Sequence, residues 1–164
     1  MANYSRFGMM IVTSTLVMFV LMYLNTYITE HVYFSETRLY MALMMGASMA
    51  MVMFLFMRSM YTNKGANALL LLAAAAAFVV TLWLVRSQAT ISDVSYMKAM
   101  IPHHSIAILT SRRANIRDPR VRELADGIID AQVREIDEMQ RLIAALEAKP
   151  IAGNAPALAP VPAE

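Results

Sequence analysis

The stretch Met97-Lys98-Ala99-Met100-Ile101-Pro102-His103-His104 carries two of the three histidines of this 164-residue chain side by side. Steps of three, four and seven residues return to one side of a helix, so Met97, Met100 and His104 are expected on one face. His103 lies about 100° round from His104. Thioethers and imidazoles together favour copper, especially Cu(I), over magnesium or calcium. In an arbitrary helix such residues more often pack or cap, so the rest of the chain decides between these interpretations.

The composition indicates a membrane protein. Hydrophobic residues make up 59% of the chain and the mean hydropathy is +0.49, which is too apolar for an ordinary soluble domain. The net charge of +2 gives no basic surface for nucleic acid. Cysteine is absent, which excludes disulfides, thiolate metal sites and cysteine nucleophiles.

Three runs without charged residues, 7–29, 39–57 and 65–85, are each long enough to cross a hydrocarbon core of about 30 Å. We therefore predict a three-span membrane domain over residues 1–86. The first run is interpreted as a retained span, since it is longer than the apolar region of a signal peptide and no small-residue cleavage site follows it closely.

The second predicted span contains two four-residue repeats. Its small residues Ala42, Gly46 and Ala50 predict a close approach to another helix. Its methionines also recur every four residues, and this row drifts about 40° per step around the helix. Packing methionines are the favoured interpretation of the row, and a metal pathway across the membrane is the alternative. The methionines of the row are Met41, Met45, Met49, Met53 and Met57.

The predicted orientation follows from the basic residues of the short loops. One Lys or Arg precedes the first span, one lies in the first loop and two lie in the second loop. This excess places the N-terminus in the cytoplasm. Three spans then place everything after Arg86 in the periplasm, for a protein of the bacterial inner membrane.

From Ser87 the composition becomes that of a soluble helical domain, predicted over residues 87–149. Ser92 or Asp93 can cap a helix that runs to about Asn115. Pro102 falls inside this helix, where it predicts a kink or a helix start.

A second helix is predicted to begin at Asp118-Pro119, with Asp as the N-cap and Pro at the first position, and to run to about Lys149. Residues 150–164 are rich in Ala and Pro and are expected to be a disordered tail. Apolar residues recur along the second helix at a helical period. They are Leu124, Ile128, Ile136, Met139, Ile143 and Leu146.

The fold class is therefore all-α, with three transmembrane helices followed by an antiparallel helical hairpin. Counting outward from a turn near residues 116–117 pairs His104 with about Ile128 and Met97 with about Glu135. Met97, Met100, Glu135 and Met139 then share one seam, with the histidines a turn away. A lone hairpin buries little core, so we expect either a homodimeric four-helix bundle or a hairpin that rests on the spans.

Three motifs give the hairpin a family resemblance. They are Met100-Ile101-Pro102-His103-His104, Asp118-Pro119, and the Gln-x-x-Glu-Ile-x-x-Met pattern of residues 132–139. Residues 92–147 resemble the bacterial domain of unknown function 305, which is grouped with ferritin-like helical folds. Ser105-Ile106-Ala107 departs from the Gly or Gln with Ala that often follows the histidine pair. Members are also often soluble, whereas here one copy follows three spans.

Some members of this family are periplasmic copper-binding proteins associated with copper resistance. The resemblance implies that copper, as Cu(I), or Ag(I) binds here. The leading hypothesis from the ligand set is a membrane-anchored protein, not an enzyme, that buffers Cu(I) or passes it to another copper-handling protein. The residues implied as metal ligands are Met97, Met100, His103, His104 and Met139, with Glu135 as a further ligand or a neighbour of the ligands.

Two other functions stay open from the residues alone. The hairpin can be a membrane interaction or oligomerisation module without metal, in which the histidines pack or respond to pH. A di-metal carboxylate enzyme is disfavoured, because the hairpin glutamates form no Glu-x-x-His motif. His31 lies in the first loop and is expected to be a solvated histidine. The alternative is that His31 itself serves as an additional metal ligand.

Overall fold

The computed structural model describes residues 4–152 and 155–159, and these residues form helices and connections without a β-strand. The predicted all-α fold is confirmed. Residues 150–152 and 155–159 of the expected disordered tail have no regular secondary structure, and the rest of that tail lies outside the described residues. The helices are α1 (Tyr4–Leu21), α2 (Glu36–Met57), α3 (Lys64–Ser87), α4 (Asp93–Arg113) and α5 (Pro119–Ala148), with short 3₁₀ turns at Thr29–His31 and Arg58–Met60.

Three N-terminal helices are long and apolar enough to cross a membrane: α1, α2 with its following 3₁₀ turn, and α3. Helix α2 lies between the other two, because it packs against both α1 and α3. The predicted number of helices that could span a membrane is confirmed, and α2 and α3 contain the predicted runs 39–57 and 65–85.

Helix α1 ends at Leu21, well before the predicted end at residue 29. The chain turns there through a hydrogen bond of 3.1 Å from the Leu24 amide to the Leu21 carbonyl. Further along the first connection, Tyr27 and Tyr33 pack against the core of the hairpin. Tyr27, which belongs to the predicted run, is therefore half-buried against protein, which a hydropathy pattern does not distinguish from burial in lipid.

The small residues Ala42, Gly46 and Ala50 of α2 are buried, as their spacing predicts. A methyl group added at Gly46 would overlap the Thr15 hydroxyl of α1. Because Gly46 has no side chain, the backbones of α1 and α2 can approach each other closely at this point.

Both helices of the hairpin begin at the predicted caps. The Ser92 hydroxyl accepts the Ser95 amide at 3.2 Å, and the Asp118 carboxylate accepts the Arg120 amide at 2.9 Å. Helix α4 continues through the buried Pro102. Each cap satisfies one of the free amides in the first turn of its helix, which fixes where the helix begins.

The core of the hairpin differs in part from the predicted apolar stripe. Ile136 and Ile143 are buried as expected. Leu124 is 66% exposed, and Ala125 and Ile129 occupy the core instead. Ile129, Ile136 and Ile143 form one core cluster with Met97, Ile101 and Ile108 of α4.

The predicted register of the hairpin is wrong by about two turns, because His104 lies beside Glu135 and not beside Ile128. The connection 114–118 explains the shift. Its end residues Ala114 and Asp118 are extended, so it is not the tight turn assumed in the count. The first turn of α5 therefore extends beyond the end of α4.

The hairpin rests on the first connection and on the start of α2. The buried Ser105 hydroxyl accepts the Tyr27 amide at 2.7 Å, and the Arg112 guanidinium donates to the Tyr27 hydroxyl at 2.8 Å. Near the other end of α4, the Ser95 hydroxyl donates to Glu36 at 3.3 Å. These contacts place the two histidines of α4 close to the ends of α1 and α2.

Candidate functional site

A groove of about 1530 Å³ runs between α4 and α5 at the end of the hairpin nearest α3. Five of the six residues predicted as metal ligands line it, although the register that predicted their meeting was wrong. Helical spacing puts the α4 residues on one face, and the corrected register puts Glu135 and Met139 opposite them. The five residues are Met97, Met100, His104, Glu135 and Met139.

His104 and Glu135 form the polar part of this groove. Oε2 of Glu135 lies 2.9 Å from Nδ1 of His104. Among the described residues this carboxylate is the group that approaches the buried nitrogen, at ion-pair distance but without well-aligned hydrogen-bond geometry. The side chains of His104 and Glu135 are therefore partners, and a metal that binds Nδ1 must displace this contact.

Burial lowers the pKa of His104, the charge of Glu135 opposes this shift, and His103 reinforces it. The neutral ring is therefore the favoured form in the folded protein. A neutral imidazole is also the form that has a lone pair for a metal.

The three methionines of the groove differ in their surroundings. Met97 is 7% exposed and belongs to the hairpin core, so packing already accounts for part of its role. Met139 is half-buried and packs against the same core, and Met100 is half-buried. The groove thus combines soft thioethers with one imidazole and one carboxylate.

His103 does not face this groove. It lines a separate cavity of about 340 Å³, which lies between α4, the C-terminal end of α1 and the N-terminal end of α2. The two imidazole rings are 6.1 Å apart and inclined at 61°. The structure therefore divides the six predicted residues between two places, and only Met100 lines both.

Two methionines of this second cavity, Met22 and Met41, were not among the predicted ligands. Met22 follows α1 directly, and Met41 lies in the second turn of α2. Met41 begins the four-residue methionine row, which is the one signal in the sequence that pointed to it. No local pattern links either residue to His103, because their position at one cavity depends on how the hairpin rests on the first connection and on α2.

His31 is half-buried and bonded, unlike the solvated loop histidine that the sequence predicted. Its Nδ1 lies 2.9 Å from the Ser105 hydroxyl, which also accepts the Tyr27 amide. Burial lowers the pKa of His31, and the charge of Glu30 opposes that shift. His31 lines neither cavity, so its contacts attach α4 to the first connection.

Within residues 4–152 and 155–159, no three His, Asp or Glu side chains come together in a way that could hold a metal ion. A metal bound in either cavity would depend on thioether ligands. Thioethers select soft ions such as Cu(I) and are poor ligands for hard divalent ions.

Comparisons with known proteins agree with the motifs of the hairpin. An uncharacterized protein of Acanthamoeba polyphaga mimivirus, L153, is 34% identical over 106 residues, which is 63% of this chain and 68% of that protein. No solved structure matches the chain. A family model described as a domain of unknown function, DUF305, matches residues 82–155, which contain α4 and α5 with their caps and the histidine pair. The chain therefore belongs to the DUF305 family.

Proposed function

We propose that this protein is a membrane-anchored binding protein for Cu(I), with Ag(I) as an equivalent ion, and that the groove between α4 and α5 is its binding site. The observation that carries the proposal is a groove that brings one imidazole and one carboxylate, 2.9 Å apart, together with three methionines. The function is buffering of the metal, or its transfer to another copper-handling protein.

The chemistry of the groove supports a soft monovalent ion. Thioethers and imidazole match the preference of Cu(I), and the groove offers them without any cysteine. Glu135 adds a negative charge that attracts a cation into the groove, and its side chain is half exposed. Because the Glu135 carboxylate is half exposed, it can turn from the groove into water without a desolvation penalty, which suits release of the metal.

The proposed location is the bacterial inner membrane, with the N-terminus in the cytoplasm and the hairpin in the periplasm. The excess of basic residues in the second loop supports this orientation. The three spans would then hold the groove at the outer surface of the membrane.

The proposal is tested by competitive Cu(I) titration of the full-length protein in detergent micelles under reducing conditions. We expect stoichiometric binding to the wild type and at least tenfold weaker binding to the Met139→Leu and His104→Ala variants. Met60→Leu is the matched control, because Met60 is exposed beyond the far end of α2. Leu is close to Met in size and hydrophobicity, so the substitution removes the sulfur with little effect on packing.

Absence of Cu(I) binding to the wild type would contradict the proposal. Equal affinity in all three variants would contradict the assignment of the groove. Circular dichroism of each variant shows whether the helices are retained.

A second candidate function, an oligomerisation module without metal, is favoured by one observation. Val121, Leu124 and Leu142 on α5 are between 47% and 66% exposed, although they lie on the soluble hairpin. A second copy that covers this face would complete a four-helix bundle. Light scattering of the purified protein with a metal chelator separates the two functions, since a dimer built on these residues persists without metal and is lost in Leu124→Lys.

A further inference from the structure

The cavity at the junction of the spans and the hairpin has walls of unusual composition. Three thioethers and one imidazole line it, from Met22, Met41, Met100 and His103. They come from three separate parts of the chain: the residue after α1, the second turn of α2, and the middle of α4.

A tether explains why Met22 reaches this cavity. The Arg38 guanidinium of α2 donates a hydrogen bond to the Met22 carbonyl, and it lies 4.5 Å from the centre of the Tyr23 ring. Arg38 therefore fixes the end of α1 against the first turns of α2. Met41 lies one turn further along α2, on the same side as Arg38.

We propose that this junction cavity is a second Cu(I) or Ag(I) site, with Met22, Met41 and His103 as ligands. Met100, which lines both cavities, lies between it and the groove. The proposal rests on the proposed function, since it assigns a second position to the same metal. It goes beyond the family resemblance, because two of its three ligands belong to the spanning region.

The charges around the two cavities set their order of filling. The junction cavity has neutral ligands and the positive Arg38 in its wall, whereas the groove has the negative Glu135. Repulsion from one fixed positive charge is twice as large for a divalent as for a monovalent cation. The junction cavity therefore disfavours divalent ions and binds a monovalent ion more weakly than the groove does.

Met100 lines both cavities, so its sulfur can connect the two sites. An ion that holds the Met100 sulfur can exchange its other ligands from the groove set to the junction set without being released from the protein. The two sites thus form a short path from the hairpin surface to the ends of α1 and α2.

The experiment is a titration of the full-length protein in lipid nanodiscs with Ag(I), which does not change oxidation state under air. Native mass spectrometry counts the bound ions, and NMR of ¹³C-labelled methionine methyl groups identifies the sulfurs that bind. We expect two equivalents: the first shifts the Met139 methyl signal, and the second shifts those of Met22 and Met41.

The double variant Met22→Leu/Met41→Leu is expected to bind one equivalent and to keep the Met139 shift. Its matched control is Met18→Leu/Met45→Leu, which changes two methionines of α1 and α2 that do not line the cavity. The control is expected to bind two equivalents, as the wild type does.

Each outcome bears on a different claim. A wild type that binds one equivalent, with no shift of the Met22 and Met41 signals, overturns the second site and leaves the groove intact. A second equivalent lost equally in both double variants also overturns it, since the loss then follows from altered packing. Absence of any bound Ag(I) would contradict the proposed function itself.

Discussion

Ser105 is the residue that attaches the histidine-bearing helix to the spanning region. It is fully buried, and its hydroxyl accepts the Tyr27 amide at 2.7 Å and lies 2.9 Å from Nδ1 of His31. A neutral His31 with its proton on Nε2 accepts the serine proton, which completes a chain of hydrogen bonds from the Tyr27 amide to the His31 ring. The hydroxyl is thus satisfied without solvent.

The first prediction concerns this hydroxyl. Ser105→Ala leaves the Tyr27 amide without a partner, so we expect a loss of about 1–3 kcal/mol in the free energy of unfolding. Hydrogen exchange at the Tyr27 amide should accelerate by the factor that corresponds to this loss of free energy. Thr110→Ala is the control, because the Thr110 hydroxyl bonds only to carbonyls of its own helix. If both variants lose equal stability, the attachment role of Ser105 is wrong.

The second prediction concerns pH. The pKa of His31 in the folded protein lies below its usual value of 6.5, chiefly through burial. Well above pH 6.5 the ring is neutral in both the folded and unfolded states, so its titration does not change the stability there. As the pH falls below 6.5, the unfolded state takes up the proton first, and the folded state loses relative stability.

We therefore expect the thermal midpoint of the wild type to fall between pH 7 and pH 5, and to fall less in His31→Asn. Part of the decrease persists, because the pKa of His104 is lowered as well. Glu30→Gln should have the opposite effect, since the Glu30 charge opposes the shift of His31. A steeper acid loss in His31→Asn than in the wild type would contradict the prediction.

Among the helices, α2 has the central position, since it packs against both α1 and α3. Its close contact with α1 depends on Gly46, where an added methyl group would overlap the Thr15 hydroxyl. That hydroxyl is held by its hydrogen bond of 2.8 Å to the Ile11 carbonyl, so it cannot move aside freely.

The third prediction follows from this contact. Gly46→Ala should cost about 1–3 kcal/mol through overpacking, measured as the thermal midpoint of the protein in detergent. Gly8→Ala on α1 is the matched control, because nothing lies within 4 Å of a methyl group added there. Thr15→Ala should restore stability to the Gly46→Ala variant. Failure of this rescue would show that the two residues are not in contact.

Elements of the fold whose signals are local could be predicted from the sequence. The Ser92 and Asp118 caps and the three apolar runs depend on residues within a few positions of one another, and all of them appear in the structure. The end of α1 could not be predicted in this way. It depends on Tyr27 and Tyr33 packing against a hairpin that is distant in the sequence.

For the molecule as a whole, the residue types and helical spacing of the motif made part of the candidate site predictable, even though the predicted register of the hairpin was wrong. The residue types in the motif indicated the donors, and five of six line one groove. The separation of His103 from His104 was not predictable, because it depends on which surface of α4 rests on the spans. Met22 and Met41 were missed for the same reason.

The fourth prediction concerns the sides of the membrane. If α1, α2 and α3 each cross the membrane, as we propose, the connection between α2 and α3 and the connection between α4 and α5 lie on opposite sides. The chain has no cysteine, so Ser59→Cys and Arg117→Cys each introduce a single reactive thiol at an exposed position. An impermeant thiol reagent added to intact cells should label Arg117→Cys and not Ser59→Cys. Labelling of both would contradict the three-span topology.

The short link from α3 to α4 makes the membrane itself part of the geometry of the hairpin. Helix α3 has 24 residues, and only residues 88–92 separate it from α4. At 1.5 Å per residue the apolar run 65–85 of α3 is about 32 Å long, which nearly matches a hydrocarbon core of about 30 Å, and a remaining mismatch is accommodated by tilting. A thinner bilayer increases that tilt, and so short a link passes the change to α4. Lipid composition thus becomes a means of adjusting the distance from His103 to Met22 and Met41.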